Sequence, residues 1–103
     1  MKIQITILLL TLTVTTALQA GTLVGGYNCS PSKEILEKAI QYSEVDHDRA
    51  AFEQLNKTGL LRTTKEGAQV DLVEGGLFAG LYKVRIHGTL VELWIPREAY
   101  RNN

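Results

Sequence analysis

The sequence predicts an α+β domain, a helical hairpin followed by a small β-barrel, and three observations carry that expectation. Apolar residues recur at helical spacing over about residues 31–58. From Leu60 the pattern changes to alternation, the period of a half-buried strand. Glycines and Pro96 then punctuate the second half at intervals that suit short strands.

Ahead of these elements stands an apolar leader. Lys2 supplies a positive charge, Ile3 to Leu12 is almost unbroken hydrocarbon, and Thr13 to Ala17 continues it more weakly. Leu18-Gln19-Ala20 follows with residues that a signal peptidase accepts, completing the n-region, h-region and cleavage site of a secretory signal. A membrane span needs about 20 apolar residues, and Thr6, Thr11, Thr13, Thr15, Thr16 and Gln19 dilute this one. Residues 1–20 are therefore expected to be a cleaved signal peptide. The mature chain is then periplasmic or secreted and meets the membrane only during export. Cys29 follows Tyr27-Asn28, without the small residue a lipoprotein site needs.

Composition excludes several classes of function. The chain of 103 residues carries 11 basic and 11 acidic side chains, a balance that argues against electrostatic binding of nucleic acid. One cysteine cannot form an internal disulfide. Cys29 with only His47 and His87 gives no structural zinc site, and no cofactor motif is recognisable.

Gly21 to Asn28 is glycine-rich and aperiodic, so residues 21–29 are expected to be a flexible leader to a single domain at 30–103. Ser30-Pro31 suits a helix start, because serine caps orphan amides and proline fits the first helical position. Ile35, Leu36, Ala39 and Ile40 form the first apolar stripe. Asp46 or Asp48 starts a second helix with Ala51, Phe52 and Leu55 inward, and Gly59 ends it. Two such helices predict an antiparallel hairpin.

The barrel is expected over about residues 60–101. Val70 and Leu72 alternate with Asp71, Tyr82, Val84 and Ile86 with Lys83, Arg85 and His87, and Val91, Leu93 and Ile95 with Glu92 and Trp94. A two-residue turn at Gly88-Thr89 fixes the last hairpin. It sets Ile86 opposite Val91, Val84 opposite Leu93 and Tyr82 opposite Ile95, one apolar face. The other face sets Arg85 opposite Glu92 and Lys83 opposite Trp94, an ion pair and a cation–π pair. A one-residue slip would scatter both sets. All these apolar residues except Ala51, together with the first stripe, are expected in the core.

Gly80-Leu81-Tyr82-Lys83-Val84-Arg85, a short turn, Leu93-Trp94-Ile95-Pro96 and the closing Glu98-Ala99 resemble the second half of a bacterial SH3-like domain. Gly67-Ala68-Gln69-Val70-Asp71-Leu72 resembles its opening strand. The resemblance covers roughly residues 60–100 and implies an SH3-like β-barrel used for binding. The chain departs from the pattern in the brief loop Glu74 to Ala79 and in lacking a glycine immediately before Trp94. The helical segment is an addition to it.

Candidate ligand-binding residues are Trp94, Lys83, Arg85, His87 and Phe78. Trp94 points away from the apolar face and is either a ligand anchor or covered by the helices. Lys83, Arg85 and His87 form a basic stripe that either receives an anionic partner or is a solvated strand face. Leu77-Phe78 is a contact point or caps the barrel end. His47 between two aspartates belongs to helix capping, and no catalytic set is recognisable. The expected function is an exported, non-catalytic SH3-like binding module for a protein or cell-wall peptide. The alternative is a small periplasmic inhibitor or immunity-type protein that plugs an enzyme with the loop Glu74 to Gly80.

Overall fold

The computed structural model describes residues 19–76 and 79–102. All of the expected signal peptide except Gln19 and Ala20 lies outside the described residues, as does Phe78. The first strand, β1, spans Gln19–Leu23, and β2 is the short Asn28–Cys29. Helix α1 (Lys33–Ile40), a π-helical turn (Gln41–Val45) and helix α2 (Arg49–Asn56) follow. Then come β3 (Arg62–Thr63), β4 (Gln69–Glu74), β5 (Leu81–Ile86) and β6 (Glu92–Pro96). A 3-10 turn at Arg97–Ala99 leads into β7 (Tyr100–Asn102). No described helix is long and apolar enough to cross a membrane.

The strands form an antiparallel five-stranded sheet, ordered β6-β5-β4-β1-β7, and a two-stranded β2–β3 ribbon. This corrects the expected SH3-like barrel: among the described residues no ladder joins β6 to β7, so the sheet is not closed. β6 meets only a single bridge, from Ser30 just past β2. The β5–β6 register is the one alternation specified, with Tyr82 opposite Ile95, Val84 opposite Leu93, Lys83 opposite Trp94 and Arg85 opposite Glu92. The turn differs from the expected Gly88-Thr89: the Thr89 N–H donates to the Ile86 carbonyl at 3.0 Å, so His87 and Gly88 are its central residues, and Gly88 has a φ of 81°, a left-handed conformation that costs glycine little.

The expected helical hairpin is also corrected. The helices are an insertion between β2 and β3, and each has eight residues, about two turns. Ser32, not Ser30, caps α1, its Oγ accepting the Ile35 N–H at 3.4 Å. The chain then widens into the π-helical turn, and His47 after it has a positive φ of 51°. Asp48 caps α2 by accepting the Ala51 N–H at 3.0 Å. A small cluster of Ala39, Leu55 and Leu61, flanked by Ile35, Tyr42 and Phe52, connects the two helices. Beyond that cluster, α1 rests against β2 and β6.

Residues 21–29 are not a flexible leader. Leu23 and Cys29 lie at the centre of the main core with Val70, Val84, Leu93, Ile95 and Ala99. β1 sits between β4 and β7, with Gly21 opposite both Val70 and Asn102. A Cβ at Gly21 would stand 2.5 Å from the Tyr100 ring, so any larger residue there would displace that side chain. The alternation reading missed β1 because glycine takes the place of one inward side chain and Tyr100 fills the space. Val91, expected in the core, is 47% exposed beside the 92% exposed Leu90. The register is as expected, and Val91 lies in the connection just before β6 begins, its carbonyl accepting the Ile86 N–H at 2.9 Å.

The lone thiol is free and 1% exposed. Burial pushes the Cys29 pKa up, partly opposed by the Arg62 guanidinium. The thiolate is the reactive form, so Cys29 is expected to resist disulfide reagents in the native protein and to react fully in denaturant. Rapid native labelling would contradict this placement. Leu23→Ala is expected to destabilise the fold by roughly 2–5 kcal/mol in a denaturant titration, whereas an unattached leader would show no change.

Candidate binding face around Trp94

Alternation along β5 and β6 puts Lys83, Arg85, Glu92 and Trp94 on the face opposite the core. The backbone of Trp94 is held on both sides. Across β5 it faces Lys83, and at the outer edge its N–H donates to the Ser30 carbonyl at 2.7 Å. The Ser30 N–H returns a bond to the Trp94 carbonyl at 3.1 Å. Ser30 is fully buried, and its Oγ accepts the Ser32 N–H at 3.1 Å. This short run carries the start of α1 to the indole.

The consequence is a lysine pair around one ring. Lys33, the first residue of α1, sets its ammonium 5.0 Å from the Trp94 ring centroid. The Lys83 ammonium lies 5.8 Å away. Contacts of this kind contribute about 0.5–1 kcal/mol at exposed sites. Trp94 is half-buried, between the two expectations, and Lys33 at the start of α1 reaches its ring. Lys33 was not among the sequence-predicted site residues. Its helical position turns it from the apolar stripe, and no local pattern reveals the Ser30–Trp94 bridge that brings it there.

The basic stripe is largely committed within the sheet. Glu92 accepts from Lys83 Nζ at 3.1 Å and from Arg85 Nη2 at 3.3 Å. His87 stands apart, its Nδ1 3.4 Å from Asp71 Oδ2 on β4. The structure therefore gathers Trp94, Lys83 and Arg85 around Glu92 but not His87. Hydrogen bonds from Lys83 and then Arg85 hold the Glu92 carboxyl below the ordinary glutamate range. In contrast, Lys33 has no carboxylate within ion-pair distance among the described residues, and its side chain is exposed.

Two open clefts lie elsewhere on the described surface. One of about 290 Å³ lies between Tyr42, Phe52 and His47, and one of about 420 Å³ beside Glu37, Glu44 and Glu98. Neither includes Trp94. Both are open to solvent, so the Trp94 face, with its bridged backbone and a cation in no ion pair among the described residues, is the better-organised candidate. Among the described residues no group of three histidine, cysteine or acidic side chains is placed to hold a metal ion.

Comparison with protein-family models, curated proteins and solved structures finds no match to this chain.

The lowered Glu92 pKa has a definite sign. Its ion pairs contribute stability above the ordinary glutamate value of 4.5, and this is lost as pH falls through the lower folded-state value. In a carbon-detected NMR titration, Glu92 is expected to protonate below that ordinary value. Replacing both Lys83 and Arg85 by methionine should move it upward; an unchanged midpoint would show that these cations do not set it.

Proposed function

We propose that the protein is an exported, non-catalytic binding module that recognises a protein or cell-wall peptide through the Trp94 face. The observation that carries this reading is a half-buried indole on a strand residue paired with β5 on one edge and bridged to Ser30 on the other, with the Lys33 ammonium 5.0 Å from its ring centroid and in no ion pair among the described residues. Aromatic side chains anchored in this way supply contact area with little conformational entropy to lose. The leader of Lys2 and residues 3–20 supports export, with the mature protein periplasmic or secreted. Lys83 and Arg85 support the face as positioning groups, since Glu92 has already ordered them.

The reading is tested by affinity capture from the periplasmic fraction with the wild-type protein and Trp94→Ala in parallel. Circular dichroism monitors folding, because the variant removes the only tryptophan. A half-buried ring should cost less than the ~3–5 kcal/mol of a fully buried one, so the variant is expected to fold. A specific partner retained by the wild type and lost by the folded variant is the expected result. Equal capture by both proteins would remove Trp94 from the site.

A further inference from the structure

We infer that the Trp94 face takes a carboxylate-bearing peptide, with Lys33 as the residue that recognises the carboxylate; this rests on the reading of that face as the binding site. On the sheet the cations are balanced: Glu92 accepts from both Lys83 and Arg85, and on β4 Asp71 stands opposite Arg85 and Glu74 opposite Lys83. Glu92 occupies Lys83 and Arg85, which leaves Lys33 as the cation with no ion-pair partner among the described residues.

The geometry selects among anions. Lys33 is a single ammonium on a flexible stem, and it matches a single negative charge. A phosphoryl group carries more charge and is best met by several donors or by an arginine fork. The arginine here is turned to Glu92 at 3.3 Å. The indole beside the ammonium is an apolar platform. A ligand that satisfies both has a carboxylate next to an aliphatic or aromatic group. A peptide supplies that combination at its free C-terminus or at an aspartate or glutamate side chain. Because the ring is only half-buried, the ligand would lie across it rather than enter a pocket. Binding should therefore be weak for a short peptide and should fall with added salt, since the charge pair is solvent-exposed.

The single tryptophan provides the readout, because the chain gives one indole N–H signal in a proton–nitrogen NMR spectrum. The full chain is titrated with three probes: N-acetyl-trialanine with a free C-terminus, its C-terminal amide, and N-acetyl-Ala-Glu-Ala amide. A saturable shift of the indole signal is expected with a carboxylate probe, and none with the neutral amide. The two carboxylate probes distinguish recognition of a chain end from recognition of an acidic side chain. Lys33→Met should weaken binding about two- to fivefold, as for an exposed ion pair, and Lys33→Arg should retain most of it. Equal shifts from the neutral peptide, an unaffected Lys33→Met protein, or displacement of the peptide by equimolar inorganic phosphate would each overturn the carboxylate assignment. None of these results would touch the broader reading, which stands or falls on capture by Trp94→Ala. If none of the three peptides moves the indole signal, the carboxylate inference is overturned even where that capture succeeds.

Discussion

The pair of backbone hydrogen bonds between Ser30 and Trp94 is the constraint on which the rest of the architecture depends. It joins the end of β2 to the outer edge of β6. It satisfies an edge strand that would otherwise present open donors and acceptors. It also fixes where α1 begins. Ser30 is fully buried and Ser32 caps the helix, so little freedom remains between the bridge and Lys33. The approach of a helical lysine to a strand tryptophan is thus a consequence of backbone geometry, and the weak cation–π attraction does not have to create it.

The same bridge explains why the fold is an open sheet with an insertion. The ribbon of β2 and β3 is anchored to the rest by polar bonds as well as by packing. The buried Thr64 hydroxyl donates to the Val24 carbonyl at 2.6 Å and accepts the Tyr27 N–H at 3.0 Å. Its own N–H donates to the Tyr27 carbonyl at 2.7 Å. A buried hydroxyl without partners would be costly, and here donor and acceptor capacities are both used. These bonds hold the ribbon against the core, where Cys29 contributes its side chain, while its backbone pairing with β6 is the single bridge at Ser30. The helices depart and return within the ribbon, so their packing is subordinate to it.

What the sequence made legible follows from the range of the forces involved. The β5–β6 register could be read because six apolar residues specify it locally, and the Arg85–Glu92 and Lys83–Trp94 pairs follow from it even though the turn itself falls at His87-Gly88. The Asp48 cap could be read for the same reason, since a capping bond spans three residues. β1 was not legible, because its place in the sheet depends on Tyr100 filling the space that Gly21 leaves, a contact between the two ends of the described chain. The helix packing was misread because amphipathic stripes declare that a face is buried without saying against what. Lys33 belongs to the same class of omission. Its role depends on a bridge between residues far apart in sequence, and a lysine off the apolar stripe of a helix carries no local mark.

The division of charge on the outer face then has a physical logic. One glutamate between two strand cations orders both and removes much of their attraction for outside anions. Across the sheet Asp71 and Glu74 on β4 stand opposite Arg85 and Lys83, so the strand cations are balanced on both sides. The cation left without an ion pair among the described residues is Lys33, beside the Trp94 ring that can read the adjoining part of a ligand. Specificity arises when a charge and an apolar contact must be satisfied together, because a ligand that offers only one leaves the other unpaired or solvent-exposed. On this face the ion pairs narrow the range of ligands, and the indole with Lys33 supplies the attraction.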